Sequence, residues 1–183
     1  SGVIAGIPVV CAVLEICGIT EYEIKKSDGE VASENSLLLT AKGETRALLL
    51  AERSALNFIG RLSGIATLTK IWVDEVADTK SEIRDTRKTT PGLRELEKYA
   101  VRMGGGKNHR FSLSDAALVK DNHVLAAGGV AQAFKLVKEK FPNLPLEVEV
   151  DSATAVGGSG AQDTDDSNVN VAYTYSAVPT MVT

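Results

Sequence analysis

Between residues 81 and 150, short runs of strand character alternate with helical runs of ten to fifteen residues, an order that leaves a chain few folds. Residues 81–86 form a short strand candidate, and 91–103 form a helix with Pro91 near its first turn. Residues 116–120 read as a strand, and 128–141 as a helix with Lys135, Lys138 and Lys140 toward its end. In the segment 146–150, Leu146, Val148 and Val150 alternate with Glu147 and Glu149. Strands and helices in this rhythm predict βα units around a parallel sheet or barrel, and hence an α/β fold.

The first 80 residues differ in kind. Apolar residues recur at helical spacing over 6–18, and Gly18 is a natural stop. Strand character follows over 21–26 and 37–41, separated by the turn-rich Ser27-Asp28-Gly29-Glu30, so residues 1–45 fit a short α+β unit. From 45 to 78 the pattern is helical, with a break expected near Ser63-Gly64. The apolar opening, residues 3–19, lacks a basic leader, contains Pro8 and Glu15, and is too short to span a bilayer. It reads as a core helix of a soluble protein. Cys11 and Cys17 match no common zinc spacing and read as buried thiols in a reducing cytosol.

A net charge of −4 gives no reason to expect nucleic acid or an anionic membrane as partner. The charge is unevenly spread. All 20 Lys and Arg precede Asp151, and they balance the 20 acids found there. The remaining four acids, Asp151, Asp163, Asp165 and Asp166, lie in a tail without Leu, Ile, Lys or Arg. That tail carries the linker-like Gly157-Gly158-Ser159-Gly160 and one further strand candidate over 169–176.

In α/β folds functional groups collect where strands end and loops begin. After the first strand stand Arg87 and Lys88, and after the triple glycine 104–106 stand His109 and Arg110. Lys120, Asp121, Asn122 and His123 follow the second strand, and Glu149 and Asp151 the third. Arginines grip carboxylates or phosphates with two prongs, and lysines act as compact charges, so the set suits a polyanionic substrate. Glu149 suits sugar hydroxyls or Mg²⁺. Each residue alone has a plainer reading: a solvated loop cation, a structural histidine, or glutamates facing water. Tight packing alone would account for three glycines. Their convergence at successive strand ends favours an anion-handling α/β enzyme.

Longer motifs carry a sharper signal. Ala51-Glu52-Arg53-Ser54-Ala55-Leu56-Asn57 with Leu62-Ser63-Gly64-Ile65-Ala66-Thr67 resembles the helical segment of quinolinate phosphoribosyltransferases. The same resemblance holds for Asp85-Thr86-Arg87-Lys88-Thr89-Thr90-Pro91-Gly92-Leu93-Arg94, for Lys98-Tyr99-Ala100-Val101-Arg102, and for Gly104-Gly105-Gly106 with Asn108-His109-Arg110. Lys120-Asp121-Asn122-His123 and Glu147-Val148-Glu149-Val150 complete it, over residues 1–152. The resemblance implies an N-terminal α/β sandwich (1–48), a joining helical segment (49–80) and an incomplete α/β barrel of the phosphoribosyltransferase type (81–152), followed by an atypical tail (153–183).

It also implies a reaction. Quinolinate and phosphoribosyl pyrophosphate would give nicotinate mononucleotide, pyrophosphate and carbon dioxide, with Mg²⁺ required, in the cytoplasm. By the same resemblance Arg87, His109, Arg110 and Lys120 surround the two carboxylates, and Lys88 serves the phosphoribosyl substrate. Arg53 acts across the interface of a homodimer or higher homo-oligomer. Glu149 contacts the ribose or its metal, and Lys120 and Glu149 are the expected catalytic residues. The family begins before the segment matching Ser1 and continues past Glu149 with a Leu-Asp-Asn strand end and phosphate-holding glycine loops that 151–183 do not match. A nicotinate phosphoribosyltransferase-like enzyme, needing fewer cations, and a non-catalytic fragment are the alternatives.

Overall fold

The computed structural model describes residues 1–149 and, beyond them, the backbone of the strand Asn170–Val171. Two compact units result, Ser1–Phe111 and Ser112–Thr183. This division follows compactness, whereas the expected segments 1–48, 49–80, 81–152 and 153–183 follow sequence pattern. The linker-like glycines and Asp163, Asp165 and Asp166 lie outside the described residues.

In the first unit, α1 (Ile7–Ile16) ends in a pair of hydrogen bonds typical of a left-handed cap. Gly18 takes φ +84°, its amide donates to Glu15 O, and the Ile19 amide donates to Leu14 O, both at 2.9 Å. Strands β2 (Glu21–Ile24) and β4 (Leu39–Lys42) pair antiparallel, with Glu21 opposite Lys42. Two short strands escaped the sequence pattern: β1 (Gly2–Val3) pairs antiparallel with β3 (Val31–Ala32). Two residues are too few to show an alternation.

The spine is α2 (Thr45–Glu75), 31 residues without interruption. The break expected at Ser63-Gly64 does not occur. Ser63 Oγ accepts the Ala5 amide at 3.0 Å, and Thr67 Oγ1 accepts the Val3 amide at 2.9 Å. The hydroxyls that weaken a lone helix here dock the chain around β1, so tertiary contacts override local propensity. Ala51, Ala55, Leu62, Ala66 and Thr69 form the buried stripe, and its small side chains admit close neighbours. Val3, Ala5, Leu62, Ala66 and Ala100 make one core, while Ile4, Ile7 and Cys11 make another. Cys11 is thus buried, as expected; Cys17 is only partly so.

The expected strand over 81–86 reduces to a single parallel bridge between Arg84 and Lys107. Helix α3 (Arg94–Met103) starts later than 91, because Gly92 at φ +78° breaks the helical path after Pro91. It closes with the Gly105 amide on Arg102 O and the Gly106 amide on Val101 O, with Gly105 at φ +87°. Gly104 and Gly106 sit against α2, where a side chain has no room. Tight packing therefore explains Gly104 and Gly106, and the left-handed turn explains Gly105.

In the second unit, β5 (Ala117–Val119) and β6 (Leu146–Val148) pair in parallel, and the β7 backbone (Asn170–Val171) adds a third parallel strand beside β6. Helix α5 (Val130–Lys140) returns between β5 and β6, and its Ala133 packs on Val119, Leu146 and Val148. This is the expected βα rhythm. An additional helix, α4 (Asp121–Ala127), occupies what reads in sequence as a strand-end loop. Glu147, whose plainer reading is a glutamate facing water, is only 8% exposed, and all three residues of β6 are buried.

Candidate active site

The first unit's cations are organised by one buried pair. Lys98 on α3 is completely buried and bonds Asp85 Oδ1. Asp85 also accepts the His109 amide at 2.8 Å and the Asn108 side-chain amide. Lys98 Nζ reaches the His109 carbonyl at 3.0 Å, and the Phe111 ring lies 4.8 Å from the ammonium. The segment leading to Arg87 and the segment carrying His109 and Arg110 are thereby clamped side by side, continuing the Arg84–Lys107 bridge.

A second clamp holds the loop after Asp85. Arg94 donates from Nε to Thr89 Oγ1 at 3.1 Å, from one terminal nitrogen to Arg87 O at 3.3 Å, and from the other to Phe111 O at 3.2 Å. Glu97 accepts from Arg61 of α2 and from the Thr90 amide at 3.1 Å. Burial acts to raise the Glu97 pKa, but the hydrogen bonds from Arg61 and Thr90 prevail and hold it below the ordinary 4.5. Sequence reading assigned no role to Asp85, Arg94, Glu97 or Lys98. Their helical spacing at 94, 97 and 98 on one amphipathic helix was the available signal, since charged residues on a core-facing stripe need partners.

Arg87, His109 and Arg110 are half-buried, and Lys88 is exposed with its amide on Thr86 Oγ1 at 3.0 Å. Arg87 Nε stands out: it is a buried nitrogen with no hydrogen-bond partner. Such donors are rare because an unmet charged donor costs stability, and sites that bind anions are where they persist. Arg53 is exposed on α2, about two turns before Arg61, the α2 residue that joins the second clamp.

In the second unit, Lys120 and Glu149 follow β5 and β6 directly. The parallel register Val119–Val148 places them one rung further on, and Lys120 Nζ reaches Glu149 Oε2 at 2.8 Å. The structure thus joins two residues that sequence reading singled out separately, and gives Glu149 a partner 29 positions away. Both remain over 40% exposed, so the pair is open to solvent and ligand. His123 is drawn into the first turn of α4, where its Nδ1 accepts the Lys120 amide at 3.1 Å. Among the described residues no group of three or more His, Cys, Asp or Glu is placed to hold a metal ion, and no helix is long and apolar enough to cross a membrane.

An α/β protein results, with a buried Lys–Asp pair beside arginines in its first unit and a Lys–Glu pair at the ends of parallel strands in its second. Comparison with known proteins gives the family. Residues 1–63 match the quinolinate phosphoribosyl transferase N-terminal domain and residues 65–163 its C-terminal domain, the latter reaching past the last recognisable motif at 152. The chain is 53% identical over 154 residues to the carboxylating nicotinate-nucleotide pyrophosphorylase of Mycobacterium leprae, covering 82% of this chain and 54% of the relative. The chloroplastic carboxylating nicotinate-nucleotide pyrophosphorylase of Arabidopsis thaliana is 41% identical over 156 residues, covering 84% and 44%. Among solved structures, NadC from Streptococcus pyogenes superposes with TM-score 0.79 at 44% identity, covering 84% of this chain and 55% of that one. The nicotinate-nucleotide pyrophosphorylase from Francisella tularensis gives 0.82 at 39%, covering 85% and 56%. The chain belongs to the quinolinate phosphoribosyl transferase family, and it spans about half the length of the curated relatives it matches.

Proposed function

We propose that this chain carries the quinolinate-binding part of a carboxylating nicotinate-nucleotide pyrophosphorylase. In that reaction the quinolinate nitrogen attacks the anomeric carbon of phosphoribosyl pyrophosphate, pyrophosphate leaves, and carbon dioxide is lost to give nicotinate mononucleotide. The partnerless buried Nε of Arg87 carries the reading, because a carboxylate oxygen is the acceptor that a guanidinium in this setting needs. Arg87, His109 and Arg110 hold carboxylate, Lys88 serves the phosphates, and Lys120 offers a further cation for a carboxylate. Glu149 stabilises positive charge on the sugar as the leaving group departs. Loss of carbon dioxide leaves its bonding electron pair on the ring, and Lys120 or Arg87 steadies the charge that moves there.

Mg²⁺ fits this chemistry in a limited way. It typically binds through one or two carboxylates plus substrate phosphates and water, and Glu149 is the carboxylate at the strand end. When bound, the ion would neutralise the leaving pyrophosphate. The protein acts in the cytoplasm as a homodimer or higher homo-oligomer, with Arg53 serving the neighbouring subunit. Leu49, Leu50 and Leu56 flank Arg53 on α2 and are 66%, 71% and 51% exposed, a face suited to a second copy. Leu50→Asp is expected to shift the sedimentation coefficient from dimer to monomer; a wild-type chain that sediments as a monomer would remove this part of the reading.

Titration calorimetry tests the ligand. Quinolinate is expected to bind the wild-type chain, and Arg87→Ala to weaken Kd by roughly 10- to 100-fold, the loss of one charge-assisted contact of about 1.5–3 kcal/mol. Absence of heat from folded wild-type protein would refute the assignment.

A further inference from the structure

His109 is read as a ligand of substrate carboxylate, yet the fold grips its backbone most firmly. The amide is held by Asp85 Oδ1 at 2.8 Å and the carbonyl by Lys98 Nζ at 3.0 Å. Those two side chains are bonded to each other, Lys98 with no exposed surface and Asp85 with 8%. Asn108 closes the arrangement, with its side-chain amide donating to Asp85 Oδ2 and, at 2.8 Å, to the Lys98 carbonyl. Lys98 therefore cannot touch a ligand in solvent.

Filling this space with apolar side chains would be at least as stabilising as a buried ion pair, because two desolvated charges barely recover their hydration energy. What apolar packing cannot supply is a donor and an acceptor aimed at the two ends of one residue. We infer that the Lys98–Asp85 pair is a positioning device for His109 and Arg110. It fixes the peptide planes on both sides of His109, and with them the direction of its ring and of the next guanidinium. The inference rests on the reading of these two residues as quinolinate ligands, because a gripped backbone matters to affinity only where the side chains meet substrate. Small misplacements of such groups are costly: about 1 Å can reduce activity by two orders of magnitude.

The test separates positioning from stability in the full 183-residue chain. Lys98→Met alone strands a buried carboxylate and is expected to unfold easily. The double variant Lys98→Met with Asp85→Asn carries neither charge, so no buried ion is left unpaired and the denaturation midpoint is expected to recover. Its His109 carbonyl has lost its donor. The chain has two histidines, so ring NMR signals of His109 can be read against His123 as an internal reference. In the double variant the His109 signals are expected to shift and broaden, those of His123 to stay, and quinolinate Kd to weaken roughly ten-fold or more. Wild-type His109 signals together with wild-type affinity in a stable double variant would overturn the inference. If the double variant does not fold, Asn108→Ala decides: it is half-buried, removes the closing amide together with an acceptor for Arg102, and must displace the His109 signals in the same way. Unchanged His109 signals there would also overturn the inference. If the wild-type chain binds no quinolinate, the functional reading fails by itself, and the His109 signals still decide the positioning claim.

Discussion

Gly104→Ala is expected to cost roughly 3 kcal/mol, at the upper end of overpacking penalties of about 1–3 kcal/mol. A Cβ at this position would stand 2.3 Å from the Ala66 carbonyl oxygen and 2.7 Å from Thr69 Cβ. The first contact is backbone, so relief requires α3 to move away from α2, and that opens the core of Leu62, Ala66 and Ala100. In urea the midpoint should fall with the slope unchanged, as for a loss of stability without a change in the exposed surface. Gly64→Ala is the control. It lies in the interior of α2 with nothing near its added methyl, and should stabilise by up to about 1 kcal/mol. Equal stability of Gly104→Ala and wild type would mean that the two helices do not approach as described.

The second large effect is expected from Asp28→Ala. The carboxylate accepts the Gly6 amide at 2.8 Å and the Ile7 amide at 2.9 Å, capping the start of α1, and also the Tyr99 hydroxyl of α3 at 2.7 Å. Losing a cap costs about 1–2 kcal/mol. Leaving a partly buried hydroxyl unmet costs about 1 kcal/mol more, so roughly 3 kcal/mol is expected in total. Tyr99→Phe removes only the last contribution, and its denaturation curve separates the two. It also carries a pH signature. Burial first, and then the bond to Asp28, push the Tyr99 hydroxyl up from 10.0 to about 12. A folded pKa above the unfolded one adds stability that is complete below about pH 10 and lost as pH rises toward 12. Tyr22, pushed up to about 12 by its bond to Glu15 and by burial, loses stability over the same range. Tyr99→Phe should therefore leave a shallower alkaline decline, not a flat one. A decline as steep as that of wild type would show that Tyr99 is not bonded as described.

Much of this molecule was legible in residue order. The helix closed by Gly18, the strands at 21–24 and 39–42, the parallel pair β5–β6 and the returning α5 all follow from period and punctuation. Arg87, Lys88, His109, Arg110 and Lys120 stand out in residue order as well, and their roles as ligands belong to the proposed function. What failed to show has a common cause. β1 and β3 are too short for a period, and the 81–86 strand dissolved into one bridge because its one strand-like contact is Lys107. α4 was hidden by polar residues that also suit a loop.

Residue order alone was enough for the periodic elements, which depend on neighbours within a turn or two, and for the family, whose motifs recur in order along the chain. It took the tertiary fold to show that Ser63 holds the Ala5 amide instead of breaking a helix, that Lys98 and Asp85 grip His109, and that Lys120 meets Glu149. Each of those joins residues 11 to 58 positions apart through hydrogen bonds. Such bonds depend on where folding brings the partners together, and no local pattern records it.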